Sequence, residues 1–253
     1  MFDPAAIVRD EPIRSGQYWH VSTHAWWMAN MGSEPDRYSY LAEVITDVWI
    51  PFDQQRDWLM DRRLTGRRVW IQGSEQQAAE AGFKIEDRWP TGRRRAQYGD
   101  FWAESAGQQP SLGEGIWQRP TPDFLAGLPR DSSQLLAQLR ESSAGRGDDR
   151  RAFTYAMDVL RTGVVPADLR VALYRALLTI PGVEVAEDGA SGRDFSLSLD
   201  DGSRRTEILI NGENGQFAGE RSTFTRDIGD YQAGTVQTST KVVTTVVGNI
   251  GQK

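Results

Sequence analysis

The stretch that decides the fold runs from Pro166 to Pro181 and reads PADLRVALYRALLTIP. Proline suits the first turn of a helix, where its missing N–H would have no partner, and Asp168 lies near the positive end of the helix dipole. Apolar residues then recur with the period of a helix and form one stripe, made of Leu169, Leu173, Ala176, Leu177 and Ile180. Arg170 and Arg175 are predicted to point away from this stripe. The segment therefore predicts a helix with one buried face.

Two more helices are predicted immediately before this one. Residues Asp131 to Ser142 and Asp149 to Thr162 each begin with an acidic residue and carry an apolar stripe of their own. Because the links between the three helices are short, we expect them to pack as neighbours.

Stretches with strand character flank the helices on both sides. On the N-terminal side, strands are predicted at Gln17–Met28, Tyr38–Ile50 and Arg95–Glu104, with a hairpin of Trp58–Leu64 and Arg67–Gln72 around Thr65-Gly66 and a short helix at Ser74–Ala81. On the C-terminal side, five strands are predicted at Val183–Glu187, Phe195–Asp200, Arg204–Asn211, Phe217–Arg226 and Thr235–Val247.

This order of elements predicts the α+β class, with a curved antiparallel sheet, an open half-barrel, built from two meanders around a central block of three helices. The chain is expected to form a single domain, 1–253. Its parts are an N-terminal linker at 1–15, a Trp-rich meander at 16–120, the helical block at 121–181 and a C-terminal meander at 182–249.

Composition excludes several classes of function. The net charge of -6 gives no basic surface, so nucleic acid is not an expected partner. The chain has no cysteine, which excludes disulfides, thiolate nucleophiles and thiolate metal sites. No apolar run approaches the roughly 20 residues of a membrane span, so no span is predicted and the chain as written is expected to be soluble. No motif for a cofactor is present, and none is predicted.

The tryptophans are distributed very unevenly. All nine lie in the first 117 residues, at positions Trp19, Trp26, Trp27, Trp49, Trp58, Trp70, Trp89, Trp102 and Trp117. Such a cluster can fill a core or line an apolar pocket, and the sequence leaves both interpretations open.

His20 and His24 are the only histidines, and in a strand they share one face about 13 Å apart. That distance is too long for them to chelate one ion, so no metal site is predicted. Acid–base use with a carboxylate such as Glu43 or Asp47 is one interpretation, and ordinary half-exposed side chains are the other. For the two carboxylates, ion pairing with Arg62 or Arg68 across the strands is the simpler hypothesis.

Several stretches together resemble an uncharacterised family of actinobacterial extracytoplasmic proteins. They are GQYWH, WWM, EVITDVWIP, WLMDRRLTGRRVWIQGSE, QRPTPDFLAGLPRDSSQLLAQLR, VLRTGVVPADLRVALYRALLTIPGVEV and FAGERSTFTRD, at 16–20, 26–28, 43–51, 58–75, 118–140, 159–185 and 217–227. Members of the family usually carry one N-terminal membrane helix and are often encoded beside an extracytoplasmic-function sigma factor. The order of elements is also similar to that of the open β-barrels of lipoprotein carriers and sigma-regulator sensors.

The resemblance implies an extracytoplasmic, membrane-tethered module that binds something, although this chain lacks the tether as written. We therefore expect a non-catalytic binding or sensory module for an apolar small molecule, a lipid, or an envelope or signalling protein. The candidate ligand-binding residues are Trp19, His20, His24, Trp27, Trp49, Trp58 and Trp70. The alternatives are a hydrolase or isomerase using His20 or His24 with a carboxylate, and a structural interaction domain; no catalytic residue is assigned.

Overall fold

A nine-stranded antiparallel sheet organises the chain. The computed structural model describes residues 2–33, 37–85, 89–101, 115–142, 148–188 and 194–252. The strands are β1 (Tyr18–Met31), β2 (Tyr38–Pro51), β3 (Asp57–Gln72), β4 (Gly92–Gln97), β5 (Val183–Asp188), β6 (Asp194–Asp200), β7 (Arg204–Ile210), β8 (Phe217–Phe224) and β9 (Val236–Val247). Their order across the sheet is β4-β3-β2-β1-β9-β8-β7-β6-β5.

The two meanders join through the pairing of β1 with β9. Val21 of β1 faces Val48 of β2 on one side and Thr244 of β9 on the other. Within the described residues β4 and β5 are the two edges of this open sheet. The predicted fold, an α+β protein in which two meanders make one open antiparallel sheet, is confirmed.

Six helices accompany the sheet in the described part of the chain: α1 (Pro4–Ile7), α2 (Glu75–Glu80), α3 (Pro122–Gly127), α4 (Ser132–Glu141), α5 (Asp149–Leu160) and α6 (Ala167–Leu178). The three predicted helices correspond to α4, α5 and α6. Side chains at their starts explain two of these boundaries, because Asp131 accepts from the Gln134 amide and Asp148 from the Arg150 amide, both at 2.9 Å. None of these helices is long and apolar enough to cross a membrane.

The main core lies between the helical block and one face of the sheet. Leu169, Leu173 and Leu177 of α6 are fully buried, and they belong to one cluster with sheet residues that include Val21, Ile50, Ile208, Phe217 and Val242. Trp19 and Val21 lie on this helix-side face of β1, as the alternation of the sequence predicts. Their neighbours in sequence, Tyr18 and His20, therefore project from the opposite face.

The predicted hairpin around Thr65-Gly66 is wrong, because residues 57–72 form the single strand β3. The glycine has φ of +82°, and the pair forms a bulge instead of a turn. Between the pairs Leu64–Val44 and Arg68–Ala42, three residues of β3 face the one residue Glu43 of β2.

Smaller differences occur near the N-terminus, at α3 and at β4. The predicted linker 1–15 contains the four-residue helix α1, and the six-residue helix α3 was not predicted either, since neither is long enough to show a helical period. The predicted strand Arg95–Glu104 begins earlier, at Gly92, and ends at Gln97; its last three residues lie outside the described ranges.

Candidate functional site

The seven predicted ligand-binding residues do not meet at one place. Trp19 and Trp58 pack in or against the main core. Trp70 contacts Tyr40, with ring centroids 5.1 Å apart, in a second cluster beside α2, and Trp27 is half-buried opposite Ala42 of that cluster. His20, His24 and Trp49 project from the other face of the sheet. Of the seven, Trp19 alone lines a cavity described below. Trp102, a tryptophan that is not among the seven, lies outside the described residues.

The first histidine belongs to a network centred on Asp47. His20 Nε2 lies 3.0 Å from Asp47 Oδ1, to which Ser22 Oγ also donates at 2.9 Å. Arg63 Nη2 donates to Asp47 Oδ2 at 2.9 Å. The carboxylate is fully buried, and the His20 ring stacks on Trp49 with 5.0 Å between centroids. Burial of this charge is therefore compensated by an arginine and two further polar groups.

The second histidine belongs to a matching network centred on Glu43. His24 Nε2 lies 2.7 Å from Glu43 Oε1. The bulge in β3 supplies the other partners: Thr65 Oγ1 donates to Oε2 at 2.5 Å and Arg67 Nη1 donates to Oε1 at 3.0 Å. The hydrogen bond from Thr65 holds the pKa of Glu43 below its usual value despite the opposing effect of burial, and His24 and Arg67 act in the same direction.

These two networks repeat one plan along three strands. In each strand the two corresponding residues are four positions apart and lie on one face of the sheet. They are His20 and His24 in β1, Asp47 and Glu43 in β2, and Arg63 and Arg67 in β3. In both, the hydroxyl and the histidine bond to the carboxylate. Ser22 or Thr65 is thus not aligned by its histidine as a nucleophile would be. The arrangement stabilises the pairing of β1, β2 and β3.

Arg63 and Arg67 bond to these carboxylates, whereas the contacts of Arg62 and Arg68, the two arginines predicted to pair with them, lie elsewhere. Arg62 Nε donates to Thr46 Oγ1 at 3.3 Å, and Arg68 lies over the Tyr40 ring at 5.7 Å from its centroid. Both arginines project from the helix-side face, whereas Arg63 and Arg67 share the face of the carboxylates. Glu43 and Asp47 are both buried on that face.

A cavity of about 680 Å³, here called the end cavity, lies where β1 begins and β9 ends. Its walls are the extended segment 9–13, the loop 163–166 before α6, the turn 213–216 between β7 and β8, and single residues of the sheet and its loops, Trp19, Gln54, Thr244 and Thr245. Gly163 allows the loop to approach the sheet closely, because a Cβ there would meet Val21 Cγ2 at 2.6 Å.

Arg170 is the central charged group of the end cavity. Its side chain is only 2% exposed and its guanidinium makes three hydrogen bonds. Nη1 donates to Asp10 Oδ1 at 2.9 Å and to the Val165 carbonyl at 2.6 Å, and Nη2 donates to the Arg9 carbonyl at 2.8 Å. The guanidinium thus ties the N-terminal segment to the start of α6. One turn later, the Tyr174 hydroxyl donates to the Gly215 carbonyl at 3.0 Å and fixes the opposite wall.

Two buried polar atoms beside this cavity have no hydrogen-bond partner. They are Arg170 Nε and Thr244 Oγ1, and both residues line the end cavity. No other buried side-chain nitrogen or oxygen among the described residues is unpaired. Leaving such an atom unpaired costs about 1–3 kcal/mol, so folded proteins rarely retain them without a partner such as water, an ion or a ligand.

Two further cavities continue from the end cavity along the same end of the molecule. A cavity of about 750 Å³ shares the lining residue Gln54 with the end cavity. A cavity of about 570 Å³ shares Gln55 and Pro122 with the 750 Å³ cavity. The turn between β2 and β3 therefore separates three neighbouring recesses.

Sequence reasoning missed Arg170, which it predicted to point away from the buried stripe. The residue lies seven positions, or nearly two turns, before Leu177 and four before Tyr174, and both of these are buried. That spacing was a usable signal. Asp10 gave no such signal, because its bond to Arg170 joins residues 160 positions apart.

The donor groups of the described residues give no indication of a metal centre. Histidine, aspartate and glutamate side chains do not come together there in any group of three that could hold an ion. Comparisons with protein-family models, with curated proteins and with solved structures found no match to this chain.

Proposed function

We propose that the protein is a non-catalytic binding or sensory module that takes a small amphiphilic ligand into the end cavity. The observation that carries this proposal is the position of the two unpaired buried atoms, Arg170 Nε and Thr244 Oγ1, beside a cavity of about 680 Å³. Small-molecule sites usually measure about 300–1,000 Å³ and combine apolar walls with a few polar groups that fix orientation.

The lining of the end cavity favours a ligand with both an apolar and a polar part. Ile13, Trp19, Val164 and Val165 supply apolar surface, and Arg170 supplies a buried charge. This division agrees with the lipid-like ligand expected from the sequence, but only one tryptophan contributes. An envelope or signalling protein as partner, and a membrane tether, are supported by the family resemblance alone.

The position of the histidines supports a binding role over a catalytic one. A hydrolase or isomerase would need His20 or His24 to meet a substrate beside its carboxylate. Both histidines do lie within hydrogen-bond distance of a carboxylate, but they project from the face opposite the helices. Among the described residues that line the end cavity there is no histidine.

Calorimetric titration of the protein with three ten-carbon amphiphiles, decanol, decanoate and decyltrimethylammonium, tests the proposal. We expect one molecule of at least one probe to bind per chain. Gln54→Trp should weaken this binding about tenfold or more because the new ring enters the end cavity. Gln55→Trp is the matched control, because Gln55 lines the two neighbouring cavities and not this one. No binding of any probe, or equal weakening by both variants, would refute the proposal.

A further inference from the structure

The carboxylate of Asp10 occupies a prepared anion position at the start of α6. Its Oδ2 accepts from the Ala167 amide at 2.9 Å and its Oδ1 accepts from Arg170 Nη1 at 2.9 Å. Pro166, the residue immediately before the 12-residue helix α6, makes no side-chain cap of its own. A residue from a distant segment therefore supplies the negative charge that a helix N-terminus favours.

We propose that the ligand of the end cavity is an amphiphile with a carboxylate head, and that Asp10 is its built-in competitor for Arg170 and the Ala167 amide. The inference rests on the proposed function and specifies the ligand and its regulation. The ligand enters with its carboxylate towards Arg170, and the segment 9–13 moves aside when Asp10 is displaced.

The two partners differ in a way that permits this exchange. Arg170 is 2% exposed and held by the Val165 carbonyl, whereas the Asp10 side chain is 52% exposed. The segment 9–13 belongs to no helix or strand. Its described backbone links to the rest of the protein are the bonds from the Arg9 amide to the Asn214 carbonyl, at 3.1 Å, and from Arg170 to the Arg9 carbonyl. The cation is fixed and its carboxylate partner lies on an irregular surface segment.

The surrounding charges favour a singly charged head group. Glu11 and Glu213 also line the end cavity, where, among the described residues, the one cation besides Arg170 is the exposed Arg9, and these two carboxylates would repel a dianion such as a phosphate ester. Arg170 offers one buried positive charge, which matches one carboxylate, and its unpaired Nε supplies a further donor for a head group. Asp10 itself shows that a carboxylate fits between the guanidinium and the helix start.

Calorimetric titrations of Asp10→Asn with decanoate and with decanol test this competition. Removing the competing charge should strengthen decanoate binding about tenfold or more while changing decanol binding less than about threefold. Asp3→Asn is the matched control: it removes one negative charge from an exposed carboxylate of the same N-terminal stretch that does not line the end cavity, and should change decanoate binding less than about threefold.

A second measurement uses the unaltered protein and so does not depend on the folding of the variant. Amide hydrogen exchange at Arg9, whose amide donates to the Asn214 carbonyl, should accelerate when decanoate binds, because the segment leaves. The protection of the Ala167 amide should be retained, because the ligand takes over its bond from Asp10.

The outcomes separate the inference from the proposal beneath it. Binding of decanol or decyltrimethylammonium without binding of decanoate would overturn the inference and leave the binding function standing. Decanoate affinity equal in the unaltered protein and in Asp10→Asn, or unchanged exchange of the Arg9 amide in the decanoate complex, would do the same. Failure of decanol, decanoate and decyltrimethylammonium alike to bind would instead overturn the binding function itself.

Discussion

Arg170 and Asp10 form a charge pair across 160 residues of chain, with 2.9 Å between Nη1 and Oδ1. One partner is buried in the helical block and the other belongs to the N-terminal segment. The pair fixes the N-terminal segment to the helical block. It also places a charged group beside the end cavity, whose walls come from both meanders and from the start of α6.

Replacement of Arg170 by methionine should destabilise the fold by about 3 kcal/mol, because the carbonyls of Val165 and Arg9 lose their donor. Urea unfolding followed by circular dichroism measures the change. Arg175→Met on the same helix is the control, since that side chain is 53% exposed and lies 4.0 Å from Asp3; it should cost less than about 0.5 kcal/mol. Equal costs for the two variants would contradict the structural role of Arg170.

The fold could be predicted from the sequence because its main signals are local. The apolar stripe of α6 and the alternation of β1 each report which side faces the core. The bulge in β3 could not be predicted this way: Thr65-Gly66 has the composition of a turn, and only the pairing with β2 shows that the strand continues.

The candidate site could be predicted only in small part. Composition revealed a tryptophan bias but not where each ring points. The alternation along β1 already separated Trp19 and Trp27 from His20 and His24, so these four could not line one cavity on one face. The contact between Asp10 and the start of α6 depends on the tertiary fold, and no local pattern encodes it.

Replacement of Thr65 by valine should raise the pKa of Glu43 towards its ordinary value of 4.5, because the hydrogen bond from Thr65 is the largest cause of the lowering. Titration of the Glu43 carboxyl by NMR measures this. Ser22→Ala is the control: Ser22 donates to Asp47 and not to Glu43, so the pKa of Glu43 should stay unchanged. A pKa of Glu43 that is unaffected by Thr65→Val would contradict the geometry at the bulge.

The lowered pKa of Glu43 also predicts how stability depends on pH. A carboxyl that binds its proton less readily when folded stabilises the protein above its unfolded pKa, and this contribution is lost as the pH falls through the folded pKa. The free energy of unfolding should therefore fall below about pH 4.5, and it should fall less steeply in Glu43→Gln. Unfolding measured in urea between neutral and acidic pH checks the slope; parallel curves for the two proteins would argue against it.

Replacement of Gly66 by alanine should destabilise the protein by about 1–2 kcal/mol, because φ at this position is +82° and side chains disfavour that conformation. No neighbouring atom lies within 4 Å of the added Cβ, so the cost comes from the backbone alone. Gly127→Ala is the matched control, with equally open space and no positive φ, and should be neutral or slightly stabilising. The same unfolding midpoint for both variants would show that the bulge does not need a left-handed residue.

Replacement of Asp47 by asparagine should cost about 2 kcal/mol, because the amide group turns one acceptor into a donor towards Arg63 and removes the charge that three groups share. Asp61 lies opposite Asp47 on β3, with its carboxylate 3.6 Å from Arg93 and a side chain 19% exposed, so Asp61→Asn is the control and should cost less than about 1 kcal/mol. Asp47 bonds to residues of β1 and β3 on the face of the sheet away from the end cavity. Its replacement should therefore leave the ligand affinity of the folded protein unchanged. A large loss of affinity in Asp47→Asn with little loss of stability would instead point to a functional site at His20.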